Sequence, residues 1–162
     1  TDGGLNIAPN LEKKIQIIEN AVKVAHALGN KNPKVAILAA IEQVNPAMPA
    51  TTDAALITMM NKRGQIKDCI IDGPLAFDVA IHMESKEHKG IESEVAGDAD
   101  ILVVPFIEVA NVLYKSFTLV ANARVGSMLV GAKIPIVLTS RADTFDCRLN
   151  SIALAIATAN KI

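Results

Sequence analysis

Short apolar runs alternate with amphipathic helical patterns along the whole chain. The predicted strands are the apolar runs at 35–38, 69–71, 101–104, 127–130 and 136–138. The predicted helices are 11–28, a segment from Thr51 or Thr52 to Met60, 75–88, 108–123 and 145–159. Continuous apolar runs indicate strands that are covered on both faces. The order therefore predicts an α/β fold of three layers, in which helices cover both faces of a mostly parallel sheet.

The composition fits one such domain and argues against several classes of protein. The 162 residues are 51% hydrophobic and 20% charged, so the chain can build a core. Lys and Arg number 16 against 17 Asp and Glu, and the aromatic residues are 4 Phe, 1 Tyr and no Trp. This balance predicts no nucleic-acid partner and no membrane partner.

The cysteines and the start of the chain indicate the compartment. Cys69 and Cys147 form no C-x-x-C motif, and we expect both to be reduced, with Cys69 in the core. We find no signal-peptide pattern and no apolar run long enough to span a bilayer. We therefore expect a cytoplasmic protein.

Polar residues that follow the predicted strands are the first candidates for chemistry, because ligands of open parallel sheets bind at the carboxyl ends of the strands. Asp72 follows the second strand and could bind a ligand or cap the next helix. Asn111 and Lys115 are four residues apart and leave the same face of the fourth helix. Their alternative role is to form a solvated helical face.

The segment Thr139-Ser140-Arg141-Ala142-Asp143 indicates an anion site before the last helix. A hydroxyl, a guanidinium and free backbone N–H groups at a helix N-terminus bind phosphate well. Capping by Ser140 or Asp143 is the simpler alternative, but capping does not explain Arg141. A cation at the positive end of a helix is unfavourable unless an anion joins it.

Other site signatures are weak or missing from the sequence. The dinucleotide fingerprint, the phosphate loop and the G-x-S-x-G motif do not occur. His82, Glu84, Glu87 and His88 could suit a metal, but the two histidines are six residues apart on a predicted helix. We therefore favour a solvated helix end over a metal site.

Ordered sequence blocks along the chain resemble the phosphate acyltransferases, closest to the butyryl branch of that family. The blocks are Asn6-Ile7-Ala8-Pro9, Glu42-Gln43-Val44-Asn45, Met48-Pro49-Ala50-Thr51, Asp72-Gly73-Pro74-Leu75-Ala76-Phe77-Asp78, Asn111-Val112-Leu113-Tyr114-Lys115 and Thr139-Ser140-Arg141. The resemblance implies exchange of a butyryl or branched short acyl group between coenzyme A and inorganic phosphate. An acetyl-specific enzyme and a non-catalytic binding or oligomerisation domain are the alternatives.

The resemblance also implies roles for individual residues. Arg141 would hold the phosphate, and Ser140 would stabilise the oxyanion of the tetrahedral intermediate. Acetyl-type enzymes carry an acidic base seven residues after the serine, where this chain has Cys147. Asp146 is our choice for the base, with Asp143 or neither as alternatives. The family cleft would further include Asp72, Asn111, Tyr114, Lys115 and Thr139.

The family fold has two α/β domains around a cleft, as in the isocitrate and isopropylmalate dehydrogenases. By resemblance, residues 1–133 correspond to the second domain, and 134–162 form a strand and helix that return to the first. The chain starts at Thr1, which corresponds to the crossing between the domains, so it would represent the C-terminal portion. Ile152, Leu154, Ile156 and Ile162 would then be exposed unless a homo-oligomer or the other domain covers them. Coenzyme A would be a substrate, and neither a metal nor a tightly bound cofactor would be needed.

Overall fold

The computed structural model describes residues 1–159 and 161, and its elements follow the predicted alternation. The helices are α1 (Leu11–Ala27), α2 (Pro49–Lys62), α3 (Phe77–Ile81), α4 (Met83–His88), α5 (Ile107–Lys115) and α6 (Phe145–Thr158), and a π-helical turn, Ser116–Val120, follows α5. The strands are β1 (Lys34–Leu38), β2 (Ile70–Leu75), β3 (Ile101–Val103), β4 (Met128–Leu129) and β5 (Ile136–Val137).

A three-stranded parallel sheet forms the centre of the fold. Its order is β2-β1-β3, and Val35 of β1 pairs with Ile71 on one side and with Ile101 on the other. The apolar residues of β1 are all buried, which is why this strand lacks an alternating pattern. The parallel sheet and its central strand confirm the prediction.

Helices cover both faces of this sheet. Val35 and Ile37 face a cluster that contains Ile18 of α1 and Ile57 of α2. The alternate residues of β1, Ala36 and Leu38, face a second cluster formed by α3, α5 and the segment around Val95. Because successive side chains of a strand point to opposite faces, the two clusters are the two interfaces of a three-layer α/β/α fold. The predicted fold class is confirmed.

Tertiary hydrogen bonds divide the third predicted helix. The prediction of one helix over 75–88 was wrong: Leu75 belongs to β2, and His82 is extended between α3 and α4. The Val79 carbonyl accepts the Gly97 N–H at 2.8 Å, and the Ala80 carbonyl accepts the Ala99 N–H at 3.2 Å. A continuous helix would need these carbonyls for its own next turn. Contacts with a later segment therefore end α3.

The fourth and fifth strands do not join the parallel sheet. Met128 pairs with Val137 and Leu129 pairs with Ile136 in a separate antiparallel pair. The connection 130–135 is too short for a parallel crossover, which needs a dozen or more residues. Among the described residues, the parallel sheet therefore consists of β1, β2 and β3, and β4 and β5 form a separate sheet.

The second helix also starts differently from the prediction. It begins at Pro49, directly after Met48, rather than after a threonine cap. Proline suits a first helical position because its missing N–H would have no helical partner there. The buried Thr51 hydroxyl lies within hydrogen-bond distance of the carbonyls of Asn45 and Met48, at 3.0 and 2.8 Å. This threonine thus fixes the loop before the helix.

Candidate functional site

The loop 139–143 leads from the antiparallel pair to α6. Thr144 caps α6, and its hydroxyl accepts the Cys147 N–H at 3.3 Å. Capping by Ser140 or Asp143 was therefore the wrong alternative. These two residues lie ahead of the helix and need another explanation.

Asp143 joins this loop to α5. Its Oδ1 accepts the Tyr114 hydroxyl at 2.7 Å, and its Oδ2 accepts the Ser140 backbone N–H at 2.6 Å. Burial, together with the hydrogen bond to the Asp143 carboxylate, raises the pKa of Tyr114 above its usual range. The phenol therefore stays protonated and donates at neutral pH.

Arg141 is exposed beside a second arginine. The Arg148 Nη2 donates to the Arg141 carbonyl at 3.4 Å, so both cations belong to the N-terminal end of α6. Neither arginine takes part in a salt bridge within residues 1–159 and 161. Two cations near the positive end of a helix favour an anionic ligand. Sequence reasoning missed Arg148, although its position in the second turn of α6 was the available signal.

The remaining predicted residues of this region are exposed or half-buried. Asp146 lies in the first turn of α6, and its side chain is exposed. In the part of the chain that the structure describes, no hydrogen bond joins Asp146 to Ser140 or Arg141. Thr139 is half-buried at the start of the loop. The Ser140 Oγ accepts the Ala142 N–H at 3.4 Å, which leaves its own proton available.

Two further predicted residues, Asn111 and Lys115, are exposed on α5. Tyr114 lies between them in sequence and is the residue through which α5 contacts the loop. No hydrogen bond joins Asn111 or Lys115 to the loop 139–143 within the described residues.

Asp72 lies in a different part of the fold. It belongs to β2, at the opposite edge of the sheet from β3, and its Oδ1 accepts the Gly73 N–H at 2.9 Å. It lines a cavity of about 420 Å³ together with Glu42, Glu92 and the loop at Gly90. The alternative that Asp72 caps the next helix was wrong, because β2 continues to Leu75 and Ala76 precedes α3. The structure therefore shows two places: the Asp72 cavity and the loop with Tyr114.

One aromatic contact connects the elements of these two places. The Phe77 ring, in the helix that follows β2, lies 6.0 Å from the Phe117 ring in the π-helical turn after α5.

The residues considered for a metal, His82 to His88, are exposed or half-buried. Within residues 1–159 and 161, three or more metal-suited side chains do not come together. Across the same ranges, none of the helices combines the length and the apolar character that a membrane span requires.

Comparison with known proteins identifies the family. The family model described as phosphate acetyl/butaryl transferase matches residues 1–156. The chain belongs to this family. The resemblance found in the sequence blocks is thereby confirmed.

Curated relatives carry both the butyryl and the acetyl name. A phosphate butyryltransferase of Clostridium acetobutylicum is 53% identical over 155 residues, covering 96% of this chain and 52% of that protein. A phosphate acetyltransferase of Thermotoga maritima is 51% identical over 155 residues, covering 96% of this chain and 53% of that protein. The chain spans about half the length of these two relatives.

A solved structure agrees with the fold. A branched-chain phosphotransacylase from Enterococcus faecalis V583 superposes with a TM-score of 0.90 at 42% identity. The match covers 99% of this chain and 58% of that one. The α/β architecture, including its irregular second half, is therefore one that this family adopts.

Proposed function

We propose that this chain carries the phosphate-binding side of an acyltransferase that exchanges a butyryl or branched short acyl group between coenzyme A and inorganic phosphate. The observation that supports this most directly is the loop 139–143 before α6. The loop carries the Ser140 hydroxyl and Arg141, and Arg148 of α6 donates to the Arg141 carbonyl. Neither arginine takes part in a salt bridge of the described ranges. A phosphate dianion matches this arrangement in charge and in hydrogen bonding.

The proposed reaction starts with phosphate held by the Arg141 guanidinium. A phosphate oxygen attacks the thioester carbonyl carbon, so that a C–O bond forms and the carbonyl becomes a tetrahedral oxyanion. The Ser140 hydroxyl donates to that oxyanion. Collapse of the intermediate breaks the C–S bond and releases the coenzyme A thiolate and the acyl phosphate.

The proton balance gives Asp146 its proposed role. Hydrogen phosphate loses one proton, and the departing sulfur gains one, so the reaction needs a group that carries a proton between them. In the reverse direction Asp146 takes the thiol proton, and the resulting thiolate attacks the acyl phosphate. The exposure of Asp146 in the first turn of α6 supports this role because nothing in the described chain occupies its carboxylate.

Coenzyme A is proposed as a substrate, with no tightly bound cofactor, in a cytoplasmic protein. Asn111, Lys115 and Thr139 are proposed to contact it or the phosphate. Asp72, which lies in a separate cavity beside β2, is proposed as a further substrate contact. Phosphate acetyltransferase is the second candidate, since the Thermotoga relative of that name is almost as similar as the Clostridium enzyme. The two candidates share the chemistry and differ in the acyl pocket.

The apolar surface of the last segment supports a further part of the proposal. Residues 134–162 are proposed to pack against a second α/β unit or a second copy of the protein, and residues 1–133 are proposed to correspond to the second domain of the family fold. Ile152 and Ile156 are exposed on α6 as expected, whereas Leu154 is half-buried and Ile162 lies outside the described residues. Burial of such side chains would stabilise an association.

The test is release of coenzyme A from butyryl-CoA and acetyl-CoA, with and without phosphate, by the intact native protein that carries residues 1–162. Arg141→Ala should lower kcat/KM by about 100- to 1,000-fold, as expected when one charge-stabilising group is lost. Arg63→Ala is the matched control, because Arg63 is exposed at the far end of α2. Turnover that needs no phosphate, or turnover unaffected by Arg141→Ala, would contradict the proposal. Absence of turnover would favour the non-catalytic alternative.

A further inference from the structure

Asp143 bridges α5 and the loop 139–143 through two hydrogen bonds that capping of α6 does not require. Both of its carboxylate oxygens accept a hydrogen bond from the protein, one from Tyr114 of α5 and one from the Ser140 N–H. Thr144 already caps α6. Charge-assisted hydrogen bonds of this kind are short and directional. They fix Ser140 and the following Arg141 relative to α5.

The bridge also determines which groups remain for a substrate. Ser140 has two donors, and its backbone N–H is used by Asp143. Its hydroxyl is therefore the Ser140 donor that remains for a developing oxyanion. Tyr114 uses its single proton for Asp143. Its oxygen can then offer only lone pairs, which repel phosphate oxygens. Tyr114 therefore suits a role behind the site better than a contact with an anionic substrate.

We infer that Asp143 is a positioning residue that holds the Ser140-Arg141 loop against Tyr114 of α5, and that it is not the general base. This inference rests on the proposed acyl transfer. A base must present an oxygen to the coenzyme A thiol, whereas both oxygens of Asp143 are directed at protein donors. Asp146, which has no such partners in the described chain, remains the residue proposed for proton transfer.

Two substitutions at position 143 distinguish positioning from base catalysis. Asp143→Ala removes both hydrogen bonds, and we expect kcat/KM to fall about 100-fold, because a displacement of about 1 Å costs that much. Asp143→Asn should recover most of the activity. Its amide oxygen can accept the Ser140 N–H, and its amide nitrogen can donate to the Tyr114 oxygen. A base would be lost equally in both variants.

Tyr114 gives a second readout that does not depend on activity. Residues 1–162 contain one tyrosine and no tryptophan, so in a protein of these residues the absorbance of the phenolate reports on this one side chain. The hydrogen bond to Asp143 contributes to the raised pKa of Tyr114. Asp143→Ala should therefore lower the pH at which the phenol ionises. Tyr114→Phe, which keeps the Ser140 bond, should lower kcat/KM less than Asp143→Ala does.

Asp100 offers a matched control for the loss of a carboxylate that holds a backbone N–H. Its Oδ2 accepts the Lys34 N–H at 2.8 Å, at the start of β1 and away from the loop. Asp100→Ala should lower Tm as Asp143→Ala does, but leave kcat/KM and the tyrosine titration unchanged. A purely structural role of Asp143 would make the two variants alike in Tm and in kcat/KM.

The outcomes separate this inference from the proposed function. An active wild type in which Asp143→Ala keeps full activity, or in which Asp143→Asn is as impaired as Asp143→Ala, would overturn the positioning role alone. An unchanged tyrosine titration in Asp143→Ala would overturn it as well. A wild type without phosphate-dependent turnover would overturn the proposed function and, with it, the role assigned to Asp143.

Discussion

Two regions of the molecule differ in how far their apolar side chains are buried. We call residues 11–110 the body and residues 116–149 the segment. In the body, Val35 and Ile57 are fully buried between sheet and helices. In the segment, Val120 is 81% exposed and Phe145 is 77% exposed, and both strands of the antiparallel pair are only partly covered. The body closes its own core, whereas the segment does not.

The proposed chemistry lies in the segment, whose apolar side chains are less buried than those of the body. The loop 139–143 follows β5, whose residues are exposed, and it is tied to the body through Tyr114. An apolar surface next to an anion site suits a cleft that is completed by another surface. The comparison therefore supports the proposal that residues 134–162 pack against a second unit.

The largest expected effect contrasts the same substitution in the two regions. Ile57→Ala removes a side chain with 0% exposure from the core between α2 and the sheet. We expect a loss of about 2–5 kcal/mol in the free energy of unfolding, from lost burial and the cavity left behind. Urea denaturation monitored by circular dichroism measures it.

Ile136→Ala is the matched variant in the segment. Its side chain is 44% exposed, so we expect a loss below about 1 kcal/mol in this chain alone. Equal losses for the two variants would show that the segment has a core of its own. A larger loss for Ile136→Ala in a longer native protein than in residues 1–162 would strengthen the packing proposal.

The central features of the body could be predicted from the sequence because they depend on local patterns. The continuous apolar run of β1 indicated a strand with two covered faces, and α1 and α2 end within two residues of their predicted ends. The break between α3 and α4 could not be predicted in this way. It depends on Gly97 and Ala99, which approach α3 only in the folded chain.

The segment was harder to predict for two different reasons. The antiparallel pairing of β4 and β5 had a signal in the short connection 130–135, which we overlooked in favour of a parallel sheet. The contact between Tyr114 and Asp143 had none, because the two residues are far apart in the chain. The candidate residues of the loop were therefore predictable as residue types, but their mutual arrangement was not.

The next effect in size compares two glycines. A Cβ at Gly73 would lie 2.8 Å from the Ile37 carbonyl oxygen and 2.9 Å from the Ile37 Cβ, both on the central strand. Gly73→Ala must therefore shift β2 away from β1, and we expect a loss of about 3 kcal/mol. Thermal unfolding provides the measurement, and a Tm equal to that of the wild type would show that the sheet edge adapts.

Gly131 is the corresponding position in the segment. Its φ of +103° disfavours alanine, while the nearest atom to a new Cβ is the Nδ2 at the flexible end of Asn20, at 2.9 Å. We expect Gly131→Ala to cost about 1 kcal/mol, from backbone conformation alone. If Gly131→Ala proved as costly as Gly73→Ala, the loop 130–135 would have to be packed as rigidly as the sheet.

The last prediction concerns alkaline pH, at which Cys69 reports on the body and Tyr114 reports on the contact with the segment. Burial, followed by the charge of Asp68, raises the pKa of the Cys69 thiol in the body to about 11. An unfolded thiol ionises near pH 8.5, so the stabilisation is complete below that pH and is lost as pH rises to about 11. Urea stability should therefore decline from about pH 9, and Cys69→Ser should remove this decline.

Ionisation of Tyr114, at the contact with the segment, also lowers stability as pH rises, but it does so at a higher pH. Its folded pKa is raised, mainly by burial and then by Asp143, so its contribution is complete below the unfolded value of about 10 and is lost above it. Between pH 9 and 10 the body should weaken while tyrosine absorbance stays constant. Urea stability and tyrosine absorbance could instead begin to change at the same pH, both in the wild type and in Cys69→Ser. That result would mean that the segment and the body unfold as one cooperative unit. A tyrosine signal that starts before the body weakens would mean that the contact between Tyr114 and Asp143 can open while the core stays folded.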